Sequence, residues 1–153
     1  MDPAGKAHEQ ALRLLEFRAR SRRELSLRLR QKGHPNPLIE DLLDRLTSVG
    51  LLDDRRFASE RCRALALSKG WGPRKIRADL LSKGVDAGFI DEALSGVYEE
   101  QSEADLLRRV AEKKFGSSLL DGELDPKGRA KVQRFLMGRG FNAGLVRELL
   151  AGF

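Results

Sequence analysis

The chain repeats one short phrase three times, in register. Leu25, Leu29, Lys32-Gly33, Leu38-Ile39 and Leu42-Leu43 recur as Ile76, Leu80, Lys83-Gly84, Phe89-Ile90 and Ala93-Leu94. They recur again as Val132, Leu136, Arg139-Gly140, Leu145-Val146 and Leu149-Leu150. Counted from each glycine, the apolar members fall eight and four residues before it, then five, six, nine and ten after it. The glycines stand 51 residues apart (84 − 33) and then 56 (140 − 84). Self-similarity at such a period marks an array of supersecondary units. A row of repeats offers an extended surface rather than a pocket.

Start and stop signals divide each unit into three helices. Ser21-Arg22-Arg23-Glu24 reads as a capping box, in which serine and glutamate satisfy each other's backbone N–H groups. Gly72-Pro73 and Asp125-Pro126 open the equivalent helix of the later repeats, with proline at the first helical position. Gly33, Gly84 and Gly140 end it, since glycine accepts the left-handed conformation of a C-cap. Asn36, Asp86 and Asn142 read as N-caps of the third helices. Leading helices are expected at about 6–19, 54–69 and 101–115. The predicted fold class is all-α: three tandem three-helix repeats, 6–50, 51–98 and 101–153, forming an elongated helical array. Gly50-Leu51-Leu52-Asp53-Asp54 makes a tight link, while residues 117–125 form the loosest stretch and the expected hinge.

Charge is segregated along this pattern. The net charge is +6 with 34% charged residues, above the roughly 25% of an ordinary domain. Residues 13–32 hold eight Arg or Lys against two acids, and residues 55–83 hold nine against two. Residues 34–54 carry five acids against Arg45, and 85–107 carry seven acids and no base. Residues 108–139 are a weaker version of the basic stretches, with nine bases and four acids. First and second helices are therefore basic in the first two repeats, and third helices acidic. This argues against a groove-reading helix-turn-helix, whose second helix would carry Glu40, Asp41 and Asp44, or Asp91 and Glu92, toward phosphates. Backbone contact by the basic helices stays open.

The candidate contact residues follow from that segregation. Arg22, Arg23, Arg28, Arg30, Arg74, Lys75 and Arg77 lie on helix-two faces away from the apolar stripe. Lys127, Arg129, Lys131 and Arg134 form a separate cluster. Such runs read either as solvated faces or as contacts to phosphate or acidic protein. Lys69 and Trp71 precede the second helix two; the indole reads as a base-stacking platform or as a hydrophobic staple onto Ile76. The strictly repeated cations Lys32, Lys83 and Arg139 read as a row of contacts or, preferably, as last-turn charges offsetting the helix dipole.

Catalytic signals are absent from the pattern. His8 and His34 are isolated, and no Cys or His pair has metal-ligand spacing, so no enzyme activity, cofactor or metal is expected. Cys62 is the only cysteine and aligns with Ala11, as a small core residue would. Without a partner for a disulfide, the simplest compartment is a reducing cytoplasm. The polar start, MDPAGKAHEQ, lacks a signal-peptide stretch, and no run approaches the ~18 apolar residues of a membrane span.

Three segments resemble a known family. Gly50-Leu51-Leu52-Asp53-Asp54-Arg55-Arg56-Phe57-Ala58, Lys69-Gly70-Trp71-Gly72-Pro73-Arg74-Lys75-Ile76, and Lys131-Val132-Gln133-Arg134-Phe135-Leu136-Met137-Gly138-Arg139-Gly140-Phe141 are similar to motifs of the RecX family. The resemblance spans roughly residues 7 to 153. It implies a monomeric modulator of the RecA recombinase that binds the RecA filament on DNA and suppresses ATP hydrolysis, strand exchange and co-protease activity. Single- or double-stranded DNA would be bound weakly by the protein alone. The family supplies no catalytic motif, and Asp121, Glu123 and Asp125 dilute the third repeat's basic face. The competing reading is a general nucleic-acid-binding helical module.

Overall fold

The computed structural model describes residues 2–120 and 124–152. Its helices are α1 (Pro3–Phe17), α2 (Arg22–Gln31), α3 (Asn36–Ser48), α4 (Asp54–Arg63), α5 (Pro73–Ser82), α6 (Ala87–Glu100), α7 (Glu103–Phe115), the single turn α8 (Ser117–Leu120), α9 (Pro126–Gly138) and α10 (Ala143–Ala151). No strand occurs among the described residues, so the architecture is all-α. Two features depart from the expected outline. The helix begun by α4 widens into a π-turn over Ala64–Ser68, for which the apolar run ALALS gives no warning. A helical turn also occupies 117–120, inside the stretch expected to be loosest, and seats Leu119 in the core. Part of the expected hinge, residues 121–123, lies outside the described residues.

The caps explain where the helices begin. Ser21 and Glu24 form the full capping box, and Asp53, Asp86, Asp125 and Asn142 each accept a backbone N–H of the first turn. Asn36 does not cap α3. Proline at position 37 allows the helix to start one residue earlier, with Pro35 at the cap, and the Asn36 side chain accepts from Arg30 Nε instead (3.0 Å). Asp2 adds a start unforeseen in the sequence, taking the Gly5 N–H at 2.7 Å and drawing α1 back to Pro3.

The repeated apolar positions build the core. Leu25, Leu29, Ile76, Leu80, Val132 and Leu136 are sealed from water, and Ala11 and Cys62 occupy equivalent buried places. Burial pushes the Cys62 thiol up to about 11, so it is an inert core group. Each fully buried leucine or isoleucine contributes about 1.5–3 kcal/mol. The buried residues form two clusters rather than one. The first repeat has its own core, from Ala7 to Leu52, whereas the second and third repeats share a continuous core from Phe57 to Leu150.

The repeats join through the ends of their second helices. The carbonyl ending α9 at Arg139 accepts the Gly72 N–H (2.6 Å), and that of Gly140 accepts the Arg74 N–H (3.0 Å) at the start of α5. One repeat earlier, the carbonyl of Lys83 at the end of α5 accepts the Ser21 hydroxyl at the start of α2 (2.7 Å). Helix ends carry unsatisfied carbonyls and helix starts unsatisfied N–H groups, so the second joint pairs leftovers of opposite polarity, and at the first the Ser21 hydroxyl takes the place of the N–H. Glycine is required at these joints for two reasons. Gly84 and Gly140 have φ of +75° and +92°, and a Cβ would fall on the Arg23 stem (2.7 Å from its Cβ) or on Lys75 (2.5 Å from its Cβ). Gly33 has the same backbone (φ +92°) but open space around it.

Beneath the first joint lies an ion cluster. Arg61 grips Asp79 with two bonds (2.5 and 3.0 Å), and Lys83 Nζ adds a third (3.1 Å). Burial pushes the Asp79 carboxyl up, but the Arg61 and Lys83 hydrogen bonds outweigh it and hold the group below its ordinary range.

The joints can be probed by substitution. Gly33→Ala is expected to cost about 1–2 kcal/mol, the penalty of a left-handed alanine, whereas Gly140→Ala costs clearly more because it also pries α9 from α5. Urea denaturation of both variants checks the ranking, and equal destabilisation would contradict it. For Asp79, the folded-state pKa lies below the unfolded one, so its stabilisation is full above the unfolded pKa and disappears as pH falls through the folded one. Asp79→Asn should cost about 1–3 kcal/mol near neutrality and show a shallower acid-induced fall of melting temperature than the parent.

Candidate partner-binding surface

The structure sorts the basic residues into those whose charge is satisfied internally and those whose charge is not. Arg22 reaches across to α3 and bonds both Glu40 and Asp44 (2.8 Å each). Burial works against its charge, yet these carboxylates hold the guanidinium above its ordinary pKa. Arg77 does the same with Asp91 of α6 (2.5 Å), and Arg55 and Arg63 pair with Glu92 and Glu100. Acidic third helices thus neutralise basic first and second helices of their own repeat.

Other candidates have structural duties. Arg23 lies against Gly84 at the first joint, and Arg28 and Arg30 reach Gln31 (3.3 Å) and Asn36 (3.0 Å). Arg129 donates to the Leu150 carbonyl (2.7 Å), tying α9 to α10. Trp71 is half-buried against the core at the residue before the α5 cap, as a staple would be, and its carbonyl takes the Tyr98 hydroxyl (3.2 Å). Lys75 Nζ sits 4.2 Å from the indole centroid, within cation–π range. Among the repeated cations, Lys83 Nζ bonds Asp79 one turn back on its own helix, while Arg139 reaches across the second joint to donate to the Lys69 carbonyl (2.8 Å). Lys32 stands exposed beside Gly33, where no further repeat docks. Arg74, Lys127, Lys131 and Arg134 enter no ion pair among the described residues.

The structure also assembles a basic cleft that the spacing of cations along the chain does not announce. The π-turn and its exit supply Leu67, Ser68, Lys69 and Gly70; α7 supplies Leu106, Arg109, Val110, Lys113 and Lys114; α9 and its cap supply Phe135 and Arg139. Its volume is about 540 Å³, and no carboxylate lines it among the described residues. Gly70 (φ +68°) lets the two walls meet, because a Cβ there would lie 2.9 Å from Val110 Cγ2. Arg109, Lys113 and Lys114 escape notice in the sequence because residues 108–139 read as merely a weaker basic stretch. Their i, i+4 spacing, which places Arg109 and Lys113 on one face of α7, is the available signal.

Comparison with known proteins bears on the three repeats separately. Residues 7–46, 53–94 and 101–150 match the families described as the first, second and third three-helix domains of RecX. The chain belongs to the RecX family. A relative from Pseudomonas entomophila (strain L48), described as regulatory protein RecX, is 39% identical over 145 residues, covering 93% of this chain and 88% of the relative. One from Chromohalobacter salexigens, of the same description, is 41% identical over 143 residues, with 94% and 90% covered. The crystal structure of RecX from Lactobacillus salivarius superposes with a TM-score of 0.84 over 98% of this chain and 96% of that one, at 22% identity, and so supports the fold. No helix among the described residues is long and apolar enough to cross a membrane, and none of their His, Cys, Asp and Glu side chains gather into a metal-holding group.

The sorting of charges generates a test. Arg22→Ala with Arg77→Ala is expected to lower stability, by up to about 1 kcal/mol per pair, and to leave the salt dependence of oligonucleotide binding unchanged. Arg74→Ala with Lys131→Ala and Arg134→Ala is expected to reduce the slope of log K against log salt by about 0.7 for each single-strand phosphate no longer neutralised. Fluorescence anisotropy with labelled oligothymidine across a salt series reads both, and the opposite ranking would return the paired arginines to the contact surface.

Proposed function

We propose that this chain regulates the RecA recombinase by binding the RecA–DNA filament, and that it acts mainly as an inhibitor of ATP hydrolysis, strand exchange and co-protease activity. The observation that carries this reading is the match of all three repeats to RecX domains, in order and over nearly the whole chain. The geometry suits the role. Three linked repeats spread contacts over an extended surface, and joining several weak contacts in one chain raises effective concentration, so modest individual affinities suffice. Cations on the second and third repeats that enter no ion pair among the described residues, Arg74, Lys127, Lys131 and Arg134, suit phosphate or acidic protein surface.

The deciding experiment is ATP hydrolysis by the cognate RecA on single-stranded DNA, with this protein titrated into preformed filaments. Hydrolysis should fall well below one protein per recombinase, as expected for capping or a propagated change of subunit spacing. Unchanged hydrolysis at saturating protein, under conditions where oligonucleotide binding is measured, would instead establish a general nucleic-acid-binding module.

A further inference from the structure

Two clefts of similar size have opposite electrostatic character. The one between α4 and α6, about 550 Å³, mixes both signs of charge, and Arg55–Glu92 and Arg63–Glu100 close its charges against each other. The one between the second and third repeats is lined by Lys69, Arg109, Lys113, Lys114 and Arg139 without a carboxylate. Arg109 meets the neutral Gln101 side chain, and Arg139 a backbone carbonyl, so both retain their full charge. The cleft is within the size range of binding pockets.

Its floor is apolar. Leu67 is 45% exposed, and the half-buried Val110 lines the same cleft. Leu67 lies within the π-turn, off the buried stripe that runs through Cys62, Leu65 and Ala66, and such turns recur at functional sites. The aromatic member, Phe135, is already engaged. Its ring packs edge-on against Phe115 (5.4 Å, 89°), with Lys114 Nζ 5.5 Å and Arg139 Cζ 4.9 Å from its centroid. A nucleobase stacking there would have to displace cations, whereas an aliphatic side chain on Leu67 and Val110 displaces none.

We propose that this cleft binds a short acidic peptide segment of a protein partner, with one apolar side chain seated on Leu67 and Val110 and flanking carboxylates held by Lys69, Arg109, Lys113 and Lys114. Carboxylates match a cationic rim through charge-assisted hydrogen bonds. The apolar floor supplies what phosphate alone would not use, a preference for a hydrophobic residue between the acids. The proposal goes beyond filament regulation and does not depend on it, since the cleft is tested with a peptide in the absence of any recombinase.

The probe is a fluorescein-labelled nonapeptide of Asp and Glu around a central Leu-Phe pair, compared with the same peptide carrying Ser-Ser and with a twelve-nucleotide oligothymidine. The Leu-Phe peptide should bind saturably and more tightly than the Ser-Ser peptide. Lys113→Glu with Lys114→Glu should weaken it by about tenfold or more, because reversed charges face the acids. Lys6→Glu with Arg45→Glu, an equal charge change in the first repeat, should leave affinity within about twofold, since distant sites act independently. Leu67→Ser should erase the preference for Leu-Phe while circular dichroism shows unchanged helicity. On the full-length parent chain, amide shifts should move at Leu67–Gly70, Leu106–Lys114 and Phe135–Arg139. Equal binding of the two peptides, equal weakening in both charge variants, or oligothymidine moving the same amides more tightly than either peptide would each overturn the proposal, the last in favour of nucleic acid.

Discussion

The carbonyls that end one repeat's second helix need donors, and the start of the preceding repeat's second helix supplies them. Gly72 and Arg74 N–H groups answer Arg139 and Gly140, and the Ser21 hydroxyl answers Lys83. Everything else in the array is arranged around that pairing. The glycine must be left-handed to end the helix, and it must lack a Cβ for the neighbouring chain to approach. The lysine or arginine before it then lies at the joint: Arg139 reaches across to the Lys69 carbonyl, whereas Lys83 finds Asp79 on its own helix, a place that Arg28 takes in the first repeat, where Lys32 stands exposed.

Charge is handled in the same local way. Within the first and second repeats, acidic third helices neutralise the arginines of their own neighbours, so a formal surplus spread through the sequence does not become a uniform field on the surface. One group of cations without such partners lies where the second and third repeats meet. The cleft between the second and third repeats draws on three helical elements whose cations have no acids among the lining residues.

Much of this was legible in the residues. The apolar offsets eight and four residues before each glycine fell on buried positions in every repeat, and Ser21, Asp53, Asp86, Asp125 and Asn142 capped as their types and places demanded. Asn36 failed because a proline one residue later can sit inside the first turn, which let the helix begin at the asparagine itself. The pairing of Arg22 and Arg77 was implicit in the alternation of basic and acidic stretches, yet which arginine meets which acid depends on the angle between two helices. The second use of Gly84 and Gly140 left no separate trace, because a helix-ending glycine has one sequence signature whether or not another chain segment packs on it. The cleft was least legible. Lys69, Lys113 and Arg139 are far apart in the chain, and the π-turn that carries Leu67 arises in an apolar run that fits an ordinary helix.

The two joints of the array are made of different materials. The second and third repeats share a hydrophobic core, whose strength is largely indifferent to added electrolyte, while the first repeat keeps its own core. That repeat meets the second through the Ser21 hydroxyl, the Asp54 carboxylate on the Arg22 N–H (2.8 Å) and the unlike charges of Glu24 and Lys83. Of these, only the charged contacts are screened by salt, over a Debye length of about 8 Å at physiological ionic strength, while the Ser21 bond joins neutral groups. Raising the salt therefore weakens the charged part of one joint and spares the other, whose hold is apolar. A salt titration of any partner's binding to this chain thus measures two quantities together: the ions released at the contact and the stiffness of the protein making it.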